Sequence, residues 1–290
     1  MGTSNPTRER ILTLACPDGP GIVFSVAKFL VEQGCNIVQN QQFDDRETGT
    51  FFMRVQFTVS DQDDGDLDDM RAAFGPIAVV HRMNWRMVDA EAKQRVLIMV
   101  SKFGHCLNDL LFRTSIGALN IDVVSVVSNH DTFANLVDGY GIPFRRIPVT
   151  RDTKSAAEAE LLDVVRELKV DLVVLARYMQ VLSDDLCKQL DGWAINIHHS
   201  MLPSFKGARP YHQAHARGVK IIGATAHYVT ADLDEGPIIE QEVARVDHAM
   251  GADEVTALGR DVECQALARA VRWHTENRVL LNGDRTVVLH

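Results

Sequence analysis

Hydrophobic and polar residues follow a strand rhythm and a helix rhythm in turn over residues 9–89. "RILTLACP" alternates as a strand does, and "GIVFSVAKFLVEQG" carries apolar residues at helical spacing, namely Ile22, Val23, Val26, Phe29 and Leu30. "CNIVQNQQFD" and "GTFFMRVQFTV" read as a pair of strands, "GDLDDMRAAFGPI" as a second helix and "AVVHRMNWRMV" as a last strand. This βαββαβ order predicts a ferredoxin-like domain over residues 1–89, with one sheet and two helices on one face.

A different pattern begins after a charged connector at residues 90–95. From residue 96, short continuous apolar runs alternate with helix-like stretches; the runs are "VLIMVS", "DVVSVVSN", "FRRIPV", "DLVVLA" and "AINIH". They predict an α/β domain over residues 96–290, built on a doubly wound, mostly parallel sheet. Two extended segments joined by "TADLDEG" follow, and a helix over about 253–277 closes the domain.

Composition narrows the class of partner. The 290 residues are 46% hydrophobic and carry a net charge of −9 without a dense basic run, which argues against nucleic acid or an anionic membrane as partners. No apolar run approaches the ~20 residues that cross a bilayer. The five cysteines lie far apart without a CxxC pair, as in reduced cytoplasmic proteins. We therefore expect a cytoplasmic protein that acts on small molecules.

The candidate chemistry lies at the end of one predicted strand, in "AINIHHSMLPSFKGARPYHQ". Asn196 offers an amide N–H to a developing oxyanion, His198 moves a proton, and Asp234 orients or charge-stabilises the imidazole. Ligands of such sheets bind outside the carboxyl ends of the strands, and both segments fall at predicted strand ends of one domain, so we expect them to converge there. This set suits attack on a carbonyl. Alternatively, Asn196 and His198 only cap the strand and Asp234 only begins a turn.

Other sites are compatible with the same residues. Five histidines crowd a short stretch without HExxH or HxxEH spacing, so we expect no metal; they are His198, His199, His212, His215 and His227. Ser200 lacks a GxSxG elbow, and Cys106 would be a nucleophile only as a low-pKa thiol at a helix N-terminus. "SKFGHC" lies where such folds place a phosphate loop but has one glycine, unlike GxGxxG or GxxxxGK[ST], so the sequence gives little support for nucleotide binding.

The turn "CPDGPGIV" in the first domain exposes amides that hold a carboxylate, or it is only a tight turn.

The stretch from "NIHHSMLPSFKGARPYHQ" to "TADLDEGPII" resembles the formyltetrahydrofolate deformylases and, more widely, the folate-dependent formyltransferases. The resemblance implies that Asn196, His198 and Asp234 are catalytic. "LARYMQVLS" resembles the family's "LAGFMRILS", which implies a folate pocket lined by Met179, Val181, Leu182, Ala231, Asp232 and His199. Apolar walls with backbone polar groups suit a pterin.

Residues 9–89 resemble an ACT domain, an amino-acid-sensing module. This resemblance implies an effector site at Asp18, Gly19 and Gly21, glycine or methionine as effectors, and a homo-oligomer, dimer or tetramer.

Two departures favour water over an amine as acceptor. The glycinamide ribonucleotide formyltransferases carry a loop of the type "SGNGSN", whereas this chain has the bulkier "SKFGHC", and His199 follows the catalytic histidine as in the deformylases. The resemblance thus implies hydrolysis of 10-formyltetrahydrofolate to tetrahydrofolate and formate, which feeds purine synthesis and balances folate pools, without a cofactor. Formyl transfer to an amine such as glycinamide ribonucleotide, or folate and amino-acid sensing without turnover, are the alternatives.

Overall fold

The computed structural model describes residues 8–59, 66–202 and 210–290. The start of the second helix segment and residues 203–209 of the quoted stretch lie outside them. Contacts between Cα atoms divide the chain into two units. The first runs up to Ala92 and includes Glu276–Asn282 and Val287–His290, and the second holds Lys93–Thr275 and Gly283–Thr286. The sequence analysis places all of 96–290 in one domain, whereas these C-terminal segments group with the first unit.

The first unit follows the predicted βαββαβ order. Its elements are β1 (Arg8–Pro17), α1 (Ile22–Glu32), β2 (Asn36–Asp45), β3 (Thr50–Val59), α2 (Leu67–Val80) and β4 (Asn84–Asp89). The strands form one antiparallel sheet in the order β2-β3-β1-β4. Alternate residues of β1 and β3 pack with the apolar sides of both helices in a single core, for example Leu12, Val55, Phe29 and Phe74. This packing follows from the two periodicities of strand and helix.

The last strand of this unit starts later than predicted. Helix α2 continues to Val80 because Met70, Phe74 and Ala78, at four-residue spacing, are buried in the core. Val79 and Val80, which the sequence pattern assigns to the strand, are 77% and 76% exposed instead. The helical period of the buried residues therefore outweighs the short apolar run "AVV".

Arg54 anchors the C-terminal segment in the first unit. Its side chain is buried, and its Nε and Nη2 donate to the carbonyl of Glu276 at 3.2 Å while Nη1 donates to Gln39 at 2.9 Å. Asn282 also donates to Asp45 at 2.6 Å. A buried charge needs such partners, and here backbone and amide oxygens supply them.

The second unit is built on a seven-stranded sheet. Its elements are β5 (Gln94–Val100), α3 (His105–Ser115), β6 (Ile121–Ser128), α4 (Ala134–Asp138), β7 (Phe144–Arg146), α5 (Lys154–Glu167), β8 (Leu172–Leu175), α6 (Asp184–Gln189), β9 (Ala194–His198), α7 (Pro210–Arg217), β10 (Ile221–Tyr228), β11 (Ile238–Arg245) and α8 (Ala252–Thr275). Two short strands follow, β12 (Val279–Asn282) and β13 (Arg285–Val288).

The sheet order is β11-β10-β9-β8-β5-β6-β7, with β5 to β9 mutually parallel. Strand β10 runs antiparallel to both of its neighbours. This is the mostly parallel sheet that the sequence predicts, and the continuous apolar runs of the central strands are buried as expected for a sheet covered on both faces. The carboxyl end of β9 thus lies beside the order reversal at β5 and β8, where such sheets bind ligands.

Candidate active site

Strands β9 and β10 place three polar side chains on one face of the sheet. Asn196 and His198 are two residues apart in β9, so they point the same way. His227 of β10 pairs directly with Asn196, and residues that face each other across antiparallel strands share a face. The strand ladder therefore fixes the spacing of these groups before any side-chain contact is made.

The loop after β10 brings a carboxylate to this face. Asp234 has φ 58°, in the left-handed region that asparagine and aspartate adopt more readily than most residues. Gly236 must be glycine, because a Cβ at that position would lie 1.8 Å from the carbonyl oxygen of Tyr228. The sequence "DLDEGP" thus encodes a tight return of the chain that delivers the Asp234 side chain to the end of β9.

His198 joins the carboxylate to the pocket. Its Nδ1 lies 3.1 Å from Oδ1 of Asp234, and because a carboxylate oxygen accepts, Nδ1 carries the hydrogen. The other ring nitrogen, Nε2, is buried and has no hydrogen-bond partner among the described residues. The imidazole ring also stacks on His199, with ring centroids 5.0 Å apart. His198 is therefore oriented with a proton-accepting nitrogen available to a bound molecule.

His227 orients the amide of Asn196, a role that the sequence analysis does not assign. Nδ1 of His227 donates to the carbonyl of Tyr228 at 2.8 Å, so Nε2 accepts from Nδ2 of Asn196 at 3.1 Å. Burial lowers the pKa of His227, and the nearby His198 lowers it further, against the raising effect of the Tyr228 carbonyl and Asp234. The neutral ring thus takes one amide hydrogen of Asn196 and leaves the other for an oxyanion.

Asp234 remains ionised in this setting. Its partial burial raises the pKa, but the hydrogen bond from His198 and the positive charges that His198, His227 and His199 carry when protonated outweigh burial and hold the pKa below its ordinary value. A carboxylate with a lowered pKa next to an imidazole stabilises the imidazolium that forms when His198 takes a proton.

A pocket of about 240 Å³ opens over these groups. Asn196, His198 and Asp234 line it, together with five of the six residues expected to hold a folate, Met179, Val181, Leu182, Ala231 and His199. Asp232 is exposed and is not among the lining residues. Apolar side chains form much of the wall, and a smaller number of polar groups, among them Asn196, His198 and Asp234, complete it, as in small-molecule sites generally.

The structure shows the surroundings of the alternative nucleophiles, Cys106 and Ser200, and of a possible metal site. Burial raises the pKa of the Cys106 thiol well above its ordinary value, and a hydrogen bond to Cys264 adds to that effect, so the low-pKa thiol hypothesis is wrong. The carbonyl of Ser200 accepts from the Thr225 hydroxyl at 2.9 Å. Among the described residues, the grouping with metal-ligand spacing is His105, Cys106 and Glu263, none of which is in the histidine-rich stretch considered from sequence.

The turn expected to bind an effector lies between β1 and α1. Gly21 precedes α1 with φ 91°, no side chain caps this end of the helix, and no acidic residue occupies its first turn. The backbone amide of Asp18 donates to the carbonyl of Gly49 at 2.9 Å. The helix thus begins with backbone amides and a positive dipole end that suit a carboxylate.

Known proteins with a similar sequence and fold identify the class of the second unit. A family model described as formyl transferase matches residues 94–271. Glycinamide ribonucleotide transformylase 1 from Symbiobacterium toebii superposes with a TM-score of 0.64 at 28% identity, covering 68% of this chain and 95% of that one. Within the chain segments that the structure covers, no helix has the length and apolarity to span a bilayer. The fold and the Asn–His–Asp site thus define a formyl transferase type of α/β protein.

Relatives that match along nearly the whole chain narrow the class. The formyltetrahydrofolate deformylase of Corynebacterium sp. (strain P-1) is 55% identical over 97% of this chain and 98% of its own length. That of Bacillus subtilis (strain 168) is 43% identical over 99% of this chain and 95% of its own. The crystal structure of the Burkholderia mallei formyltetrahydrofolate deformylase has a TM-score of 0.93 at 53% identity, covering 98% of this chain and all of that one. The chain belongs to the formyltetrahydrofolate deformylase family.

Proposed function

We propose that the second unit hydrolyses 10-formyltetrahydrofolate to tetrahydrofolate and formate. The observation that carries this proposal is the arrangement of His198, which lines the pocket. Its Nδ1 is fixed by Asp234, and its Nε2 has no hydrogen-bond partner in the part of the chain that the structure describes. An oriented base of this kind activates water without help from a second nucleophile. The names of the full-length relatives support the same reaction.

The residues present account for each step. Nε2 of His198 takes a proton from water as the water oxygen attacks the formyl carbon, and Asp234 stabilises the resulting imidazolium. The formyl oxygen becomes an oxyanion, which accepts a hydrogen bond from the Asn196 amide held by His227. The bond from carbon to N10 then breaks while His198 returns its proton to N10, giving tetrahydrofolate and formic acid, which loses its proton to solvent and leaves as formate. The reaction draws on these side chains and the folate substrate, with no further cofactor.

The proposal predicts formate release in the absence of an amine. We expect purified protein given 10-formyltetrahydrofolate alone to form one formate per tetrahydrofolate, because water is the acceptor. Tetrahydrofolate is followed by absorbance and formate by a coupled assay. Bound folate without formate would contradict hydrolysis and leave the alternatives of formyl transfer, tested by adding amines, and of sensing without turnover.

The physiological setting follows from the products. Formate released in this way supplies purine synthesis, and free tetrahydrofolate rebalances the one-carbon folate pool. All five cysteines are free thiols, which supports a reducing compartment such as the cytoplasm.

We further propose that the first unit is an ACT-like regulatory module that pairs with a second copy. Strand β2 is an edge of its sheet and exposes Ile37, Val38 and Phe43, and helix α1 exposes Phe24 and Val31. An apolar edge strand favours pairing with another strand. Glycine or methionine would bind by its carboxylate at Asp18, Gly19 and Gly21, at the start of α1.

Equilibrium dialysis tests the effector. We expect glycine or methionine to bind at millimolar concentration or below, and Gly21→Ala to weaken binding because an alanine is strained at φ 91°. Gly117→Ala is the matched control, since Gly117 has φ 74° in the second unit. No binding of either amino acid to a protein that sedimentation shows to be a monomer would contradict the regulatory proposal.

A further inference from the structure

A buried ionic cluster lies next to the candidate active site in the second unit. Glu263 of α8 is only 1% exposed, and its Oε2 lies 2.8 Å from Nε2 of His105. Its Oε1 accepts from the Tyr211 hydroxyl at 2.8 Å. Nε of Arg177 lies 3.3 Å from Oε2 and completes the set. Both carboxylate oxygens therefore have protein partners. They have little capacity left to coordinate the metal ion that the spacing of His105, Cys106 and Glu263 would allow.

Arg177 holds an unusual backbone conformation. Its φ is 65°, a region where a side chain costs free energy and where glycine is the usual residue. The chain thus keeps a large cationic side chain at a position whose backbone favours none, and a strained residue in a pocket is a reason to look for a functional role.

Arg177 is one of the residues that line the catalytic pocket. It is 9% exposed, and the residue lines the same pocket as Asn196 and His198. Its guanidinium carbon lies 5.7 Å from the centroid of the Phe103 ring, at cation–π distance. Its Nε and Nη1 are both buried without a hydrogen-bond partner among the described residues, so the 3.3 Å contact of Nε with Glu263 is an ion pair rather than a hydrogen bond. The guanidinium is therefore held in place by Glu263 and Phe103.

Glu263 supplies an anion at the start of α3. Burial raises its pKa, but the hydrogen bond from His105 and the charges of Arg177 and His105 outweigh burial and keep the carboxylate ionised. His105 is the first residue of α3, in the "SKFGHC" segment where doubly wound sheets of this class bind phosphate. The chain's own carboxylate, rather than an external anion, is bound by His105 at this position.

We propose that Arg177, held by Glu263, is a specificity-determining residue that closes the pocket to an amine acceptor and so leaves water to take the formyl group. This inference rests on the proposed hydrolysis. Arg177 lines the pocket that Asn196 and His198 also line, so its positive charge disfavours the entry of a protonated amine, while water is small and neutral enough to enter. The paired Glu263 offsets the cost of burying the cation and fills the anion site that a phosphorylated amine would use.

Arg177→Gly tests the proposal by product partition. The variant relieves the backbone strain and removes the guanidinium. With 10-formyltetrahydrofolate and glycinamide as the acceptor, we expect wild type to release formate almost exclusively. In the variant, the ratio of N-formylglycinamide to formate, measured by mass spectrometry, should rise by about tenfold or more. Because it is a ratio within one sample, it does not depend on the fraction of active enzyme.

Two further variants keep the test decisive. Lys169→Gly removes an exposed basic residue with φ 48° just beyond α5 and should leave the partition at the wild-type ratio. Glu263→Gln should shift the partition in the same direction as Arg177→Gly, because it frees the guanidinium to move. An unchanged ratio in Arg177→Gly, whatever Glu263→Gln does, or loss of hydrolysis in Arg177→Gly without any formyl transfer, would overturn the proposal. Absence of formate from wild type would instead contradict the proposed hydrolysis itself.

Discussion

Replacing His198 by Ala is expected to lower the rate of formate release by about 10²–10⁴-fold, the usual contribution of a positioned acid and base. The variant removes the nitrogen that takes a proton from water and returns it to N10. It leaves the pocket wall intact, with Met179, Val181 and Leu182 among the lining residues. We therefore expect the loss of activity to appear as a lower kcat, while the Kd for folate changes by no more than a few-fold.

The measurement is single-turnover formate release alongside folate binding followed by fluorescence. His212→Ala is the matched control, because His212 is an exposed histidine on α7 and does not line the pocket. It should retain wild-type turnover. If His198→Ala kept more than about a tenth of wild-type kcat, general acid and base catalysis by His198 would be excluded.

Much of the catalytic set is readable from sequence because its geometry is local. Asn196 and His198 are two apart on one strand, and the period of a strand alone puts them on the same face. The approach of Asp234 to His198 is a less local prediction, because it depends on both segments following strands of the same α/β domain. The structure brings these three side chains together, with Nδ1 of His198 3.1 Å from the carboxylate.

His227 and Arg177 show where sequence reasoning stops. The position of His227 opposite Asn196 depends on the register of two antiparallel strands, and one register shift would place it on the other face. Arg177 reads as an ordinary polar residue, because neither its φ nor its pairing with Glu263, 86 residues away, leaves a periodic signal. Long-range register and backbone strain are properties of the folded chain.

Some features of the fold follow from local sequence patterns, and others depend on contacts between distant residues. The order of strands and helices follows from periodicity in both halves, since each element buries its own apolar side. The boundary between α2 and β4 does not, because "AVV" suits a strand locally and only the burial of Met70, Phe74 and Ala78 extends the helix. The grouping of Glu276–Asn282 with the first unit depends on the distant Arg54. Such contacts are invisible to any local pattern.

Asp234→Asn is expected to lower kcat by about 10²–10⁴-fold while leaving folate binding within a few-fold of wild type. Asparagine has nearly the same shape and tolerates the left-handed φ of 58°, so the backbone of the loop should be retained. The variant lacks the negative charge that stabilises the imidazolium of His198. Its amide also presents either an oxygen or an NH₂ group to Nδ1, so the required tautomer is no longer enforced.

The pH dependence of unfolding gives an independent check on the same carboxylate. The pKa of Asp234 lies below its ordinary value of 3.8 in the folded protein, so ionisation stabilises the fold above that pH. This contribution is lost as the pH falls through the lower, folded-state pKa. The difference in unfolding free energy between wild type and Asp234→Asn should therefore be present at neutral pH and shrink below about pH 4. A variant that kept full turnover and showed a stability difference independent of pH would remove Asp234 from both the mechanism and the ion pair with His198.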